Sequence, residues 1–210
     1  EGVGKLQETE EPRGILTAEE ARKVLDPARW DRLDLWTANI IAAATGMRKG
    51  EILGLPVSAV HPGYIDVRQA WSRKGYLVPP KRGSYRKIPV GRTVQAALAN
   101  QIDRLQWREP DDLVFARERG VPVDQKKLNT ALYDAMKSAG IAQAKRIERN
   151  LCFHSWRHWL TSRLRAAGVD DSQIRLVTGH KTAPMVDLYG QHAEAHNFEQ
   201  AVGVIEAGLS

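Results

Sequence analysis

The sequence predicts an α+β fold, mainly α-helical, with one small three-stranded antiparallel sheet. Three observations lead there. Only residues 63 to 90 carry strand periodicity: GYIDVRQA alternates, GYLVPPK and YRKIPV are extended, and Gly75 and Arg82-Gly83-Ser84 supply turns. The segments on either side carry helical spacing or helix-start signals instead. Finally, 210 residues with 42% hydrophobic content suit one ordinary domain with a real core.

The elements follow in chain order. Residues 1–13 are polar and contain Pro12, so they read as a linker, and 14–210 as the domain. In LTAEEARKVL, 16–25, Thr17 is an N-cap and Glu20 lies three residues on, which makes a capping box. A helix over about 30–45 sets Leu33, Trp36, Ile40 and Ala44 on one face, and Gly46 breaks it. RKGEILGL, 48–55, is a short helix stopped before Pro56. Beyond the sheet, helices are expected at 92–106, 124–139, 154–167, 170–178, 183–190 and, as a tail helix, near 196–207. Asp111–Phe115 reads as a short extended piece.

Composition narrows the function classes. Lys and Arg number 31 against 25 acids, a net charge of +6 that favours a polyanionic partner. The single cysteine, Cys152, excludes an intramolecular disulfide framework and fits a reducing cytoplasm. The longest apolar run, about 35–47, contains Thr37 and Asn39 and is too short to span a bilayer, so no membrane association is expected. The chain opens without Met, from which we expect a piece of a longer protein.

Histidines do not add up to a metal centre. His154 and His158, like His192 and His196, stand at i and i+4, but Glu194 lies at i+2, off the histidine face of HAEAH. One cysteine cannot build a structural zinc site. No metal and no cofactor are expected. Four other features carry more. Arg48 opens a short helix after a Thr-Gly turn, with Glu51 three residues on to orient it. His154 and Arg157 are i, i+3 neighbours, while Trp156 and Trp159 fall on an adjoining face suited to the core. Gly179 signals a helix end just before His180. Tyr189 reads as a core residue beside Met185, Val186 and Leu188, or as a nucleophile.

Taken together, ATGMRKGEILGL, PPKRGSYRKIPV, HSWRH and TGHKTAPMVDLYGQH resemble, in order and spacing, the boxes of the tyrosine recombinases, the integrases that cut and rejoin DNA at specific sites. The resemblance spans roughly residues 13–205 and implies the fold of their catalytic domain. It makes Lys81, eight residues before Pro89, the hairpin lysine. Two departures are small: Thr178 stands where Leu often precedes Gly-His, and Ala183-Pro184 replaces small hydroxyl residues. A larger one is the absence of an upstream core-binding domain, so residues 1–13 become its linker.

The resemblance also implies a chemistry. Arg48 and Arg157 would hold the phosphate oxygens, because a guanidinium stays charged and binds them with a planar fork. His154 and His180 would add donors, Glu51 would support Arg48, and Tyr189 would attack to give a 3′-phosphotyrosyl bond. Lys81 would protonate the leaving 5′-oxygen, with Lys87 or Lys74 as alternatives. The implied partners are double-stranded DNA at a specific site, a homo-tetramer linked through the tail, whose Phe198, Val202, Ile205 and Leu209 form an apolar stripe, and accessory DNA-bending or directionality proteins. A mobile-element protein of the bacterial cytoplasm or nucleoid is expected. Alternatives are a chromosome-dimer resolvase, a type IB topoisomerase-like relaxase, a non-catalytic DNA-binding regulator and a metal-dependent nuclease.

Overall fold

A computed structural model describes residues 14–179 and 199–209. The chain begins with α1 (Ala18–Val24), where Thr17 Oγ1 accepts from the Glu20 amide and Glu20 reaches back to the Thr17 amide, the expected capping box. A 3₁₀ turn (Pro27–Arg29) leads to α2 (Leu33–Thr45), which is buried along nearly its whole length. α2 therefore has no single apolar face: α3, α4, α5, α7 and α9 all pack on it, and only its first turn projects, leaving Leu33 exposed. Its buried Asn39 is satisfied at both ends. The amide donates to Leu35 O at 2.8 Å, and the carbonyl accepts from Trp156 Nε1 at 2.9 Å.

Gly46 ends α2 in the left-handed region (φ 62°), and α3 (Lys49–Leu53) follows at once. β1 (Val60–His61), β2 (Tyr64–Val67), β3 (Ala70–Trp71), β4 (Leu77–Val78) and β5 (Arg86–Pro89) come next. The three-stranded antiparallel sheet exists, in the order β1-β2-β5, but its membership differs from the expectation. Val60–His61 is the third strand, whereas Leu77–Val78 pairs with Ala70–Trp71 in a separate two-stranded ribbon. Pro79-Pro80 is the reason: without amide protons the chain cannot extend the ladder, and it crosses from ribbon to sheet through a 3₁₀ turn, Lys81–Gly83.

α4 (Arg92–Asp103), the hairpin β6 (Ala116–Glu118) and β7 (Val121–Pro122), α5 (Gln125–Ser138), α6 (Gln143–Glu148), α7 (Ser155–Ala166), α8 (Asp171–Thr178) and α9 (Glu199–Leu209) complete the fold. α6 and the β6–β7 hairpin were not expected; both are short and carry no buried stripe of their own. Within 111–115, Leu113 bridges to Pro56. Trp156 and Trp159 enter the core with rings edge to face, 6.0 Å between centroids. The helix expected at 183–190 lies outside the described residues. α9 packs against α1, α2, α4 and α7 of its own chain, with Val204 and Leu209 on the core. Among the described residues no helix is long and apolar enough to cross a membrane.

Candidate active site

Three backbone junctions meet where α2 ends, α7 begins and α8 ends. Arg48 is the N-cap residue of α3 (φ −71°, ψ 151°), so its side chain departs from a fixed point. Glu51, a turn later, accepts from the Arg48 amide and from Arg48 Nη1, each at 2.9 Å. Arg48 remains about a quarter exposed, while the Glu51 side chain is buried. Gly50 and Gly54 explain how so short a helix is held: a Cβ on either would lie 2.7 Å from the Trp71 backbone, so only glycine lets β3 run against α3.

Arg157 comes from α7 and is 2% exposed. Its Nη1 donates to Gly46 O at 2.8 Å, which ties this arginine to the turn that launches Arg48. Its Nε and Nη2 are buried with no hydrogen-bond partner among the described residues. Burial, then the charges of Arg48 and Arg86, push its pKa down to about 9, against a smaller opposing pull from Glu51. Among the described residues this guanidinium has cationic neighbours and two donors without an acceptor, surroundings that suit an anion.

The sequence reading missed Arg86. It sits on β5 with its side chain 1% exposed, pairs with Glu51 (Nη2 to Oε2, 2.8 Å) and donates Nε to Val177 O at 2.9 Å. Burial raises the Glu51 carboxyl, but the hydrogen bonds and charge of Arg86 outweigh it, and the net shift is downward. Strand alternation was the available signal. In Arg86-Lys87-Ile88 the inward positions are 86 and 88, which an arginine at 86 disguises as a polar surface.

The other expected residues are placed as follows. His154 is the half-buried N-cap of α7, its ring edge-on to His158 at 5.0 Å. Lys81 begins the 3₁₀ turn between β4 and β5 and is exposed, so it lies on a connection between two sheets and not on a paired hairpin. Lys87 lies on the face opposite Arg86, its amine 5.1 Å from the centre of the Tyr64 ring, and is turned away from the arginines. Lys74 is in the β3–β4 turn. The structure thus brings together Arg48, Glu51 and Arg157 and adds Arg86. Gly179 ends α8 in the left-handed region (φ 69°), as expected, and buried Thr178 satisfies its hydroxyl on Ile174 O at 2.7 Å. His180 and Tyr189 lie outside the described residues.

Comparison with known proteins shows the family and the fold. The model of the phage integrase family matches residues 15–196. The tyrosine recombinase XerD of Halalkalibacterium halodurans is 27% identical over 150 residues, covering 70% of this chain and 45% of that protein. The Tn1549 transposon integrase in complex with a circular intermediate DNA superposes with a TM-score of 0.69 at 21% identity, over 91% of this chain and 66% of that one. The lambda integrase catalytic core gives 0.59 at 20% identity, over 80% of this chain and 96% of that one. The chain spans less than half the length of the XerD relative and about two thirds of the transposon integrase. The chain belongs to the phage integrase family and has the fold of a tyrosine recombinase catalytic domain.

Proposed function

We propose that this domain catalyses site-specific DNA strand exchange by tyrosine transesterification. The observation that carries the reading is Arg157, a buried cation with two donors that find no acceptor among the described residues, anchored on the same turn as Arg48. Two such forks suit a phosphodiester, whose non-bridging oxygens repel a nucleophile until cations hold them. Tyr189 attacks phosphorus and the bond to the 5′-oxygen breaks. The phenol proton passes to His154, the 5′-oxygen takes a proton from Lys81, and His180 adds a donor to the phosphate. The phosphoester is conserved as a 3′-phosphotyrosyl bond, so a 5′-hydroxyl from another strand reverses the step without ATP.

A basic cleft lined in part by Lys49, the residue after Arg48 in sequence, supports double-stranded DNA as the partner. It measures about 510 Å³, and Lys49, Arg73, Arg117 and Lys126 line it against one acid, Asp124, whose carboxylate is occupied by the Lys126 amide at 2.6 Å. Burial first, and then the Arg73 charge, lower the Lys49 pKa, and the negative charge of a phosphate would act against that shift. Residues 1–13 would link to a core-binding domain, and α9 would join four protomers on synapsed DNA in the bacterial cytoplasm, with accessory DNA-bending proteins setting direction.

The test is a nicked duplex from sequence adjoining the coding region, incubated with the full-length protein in EDTA and run on a denaturing gel. A covalent adduct with the natural protein and none with Tyr189→Phe is expected. DNA binding without an adduct would move the reading to a regulator, and an adduct formed by an obligate monomer on any sequence would move it to a relaxase.

A further inference from the structure

The recombinase reading leaves a fully buried arginine without a task. Arg86 commits Nε, Nη1 and Nη2 all to protein acceptors, which leaves none of the three to hold a substrate, and its guanidinium joins three elements. Nε donates to Val177 O at the end of α8 (2.9 Å). Nη1 donates to Ser84 O beyond the Lys81 turn (3.1 Å) and to Glu51 Oε1 on α3 (3.3 Å). Nη2 donates to Glu51 Oε2 (2.8 Å).

The Glu51 carboxylate is shared in a regular way. Oε1 takes Arg48 Nη1 and Arg86 Nη1; Oε2 takes the Arg48 amide and Arg86 Nη2. The group that aims Arg48 is thus itself aimed by Arg86. Arg48 also approaches Ser84 Oγ at 3.5 Å, on the segment that Arg86 fastens through Ser84 O. At the third contact a Cβ on Gly179 would lie 3.0 Å from the Arg86 guanidinium, so α8 ends against it, one residue before His180.

Resting on the reading above, we infer that Arg86 is a positioning residue for strand cleavage, which orients Arg48 through Glu51 and fixes the chain end from which His180 departs. A buried ion pair alone is weak evidence for stability, since apolar residues of similar volume often replace one without loss. An apolar residue cannot reproduce the direction in which Glu51 holds Arg48. Lysine cannot either, because a point charge replaces a planar fork.

The experiment measures single-turnover cleavage of the nicked duplex by the full-length protein, with DNA affinity and melting temperature recorded for each variant. Arg86→Lys is expected to remain folded and to bind the duplex as the natural protein does, within roughly twofold, while cleavage slows by about 10²-fold, the cost of a small misplacement of a reacting group. Combined with Arg48→Lys, the two losses should fall short of their product by about tenfold or more, because one acts through the other. If Arg86→Lys does not fold, Arg86→Met with Glu51→Gln removes both charges together, and the same loss of rate at undiminished affinity is expected. Natural-rate cleavage by the variant, a defect confined to DNA affinity, or fully multiplying losses would each overturn the inference while leaving the recombinase reading standing. No adduct with the natural protein would remove that reading and this one with it.

Discussion

Arg157 sets the terms at the scale of single residues. Its Nε and Nη2, without an acceptor among the described residues, predict that a small oxyanion binds and stabilises the domain even without DNA. Inorganic sulfate should raise the melting temperature of the natural protein and leave Arg157→Met unmoved; an equal rise in both would place the anion elsewhere. The depressed pKa fixes the pH dependence. With the folded value pulled down to about 9 and the unfolded one well above it, the unfolded chain binds the extra proton between them, so without an anion this group favours folding more as pH rises through 9. Anion binding, which needs the charged form, weakens over the same interval, and calorimetric titration of sulfate from pH 8 to 10 checks it. Gly46 is the second pivotal residue. At φ 62°, with Leu160 and Thr178 side chains 3.3 and 3.4 Å from where a Cβ would stand, Gly46→Ala should cost about 1–2 kcal/mol on chemical denaturation.

At the scale of elements, two polar ties hold helices at fixed angles. The Asn39–Trp156 bond docks α7 on α2, so Asn39→Leu, which orphans a buried indole N–H, should destabilise the domain by about 1–3 kcal/mol. The Glu20–Arg149 pair joins α1 to the turn after α6, at 2.6 and 2.9 Å. The Arg149 hydrogen bond, foremost, lowers the Glu20 pKa from 4.5 to about 2. A lowered carboxylate stabilises the fold above its unfolded value and loses that as pH falls toward 2, so Glu20→Gln should flatten the stability curve between about pH 4.5 and 2. The sequence showed these helices well, because caps and breakers are local: Thr17, Gly46 and Gly179 each act where expected. Strand partners were less legible. Pairing is non-local, and Pro79-Pro80 diverts the chain to another sheet in a way no periodicity records. In the site, Arg48, Glu51 and Arg157 were legible only through the resemblance of their boxes to the tyrosine recombinases, whereas Arg86 is bound by tertiary contacts with residues 35 and 91 positions away.

At the scale of the whole molecule, α9 closes the chain against α1, α2, α4 and α7. It lies on its own domain through Val204 and Leu209 and through Glu206, whose carboxylate accepts from Thr93 Oγ1 at 2.8 Å and from the Thr93 amide at the start of α4. A carboxylate at a helix N-terminus is a modest tie, about 0.3–1 kcal/mol where exposed. Glu206→Ala should therefore speed amide exchange in α9 without unfolding the core, and, if α9 links protomers, should favour assembly on DNA. A tail-deleted domain that folds and assembles as well as the natural protein would end the linking role. The central claim is the identity of the nucleophile, and the most direct measurement is mass spectrometry of the DNA-linked protein after nuclease and trypsin digestion. No Lys or Arg follows Lys181 in this sequence, so the peptide beginning at Thr182 carries Tyr189 as its one tyrosine. A 3′-phosphonucleotide on Tyr189 is the expected result; attachment at any other residue would contradict the recombinase mechanism.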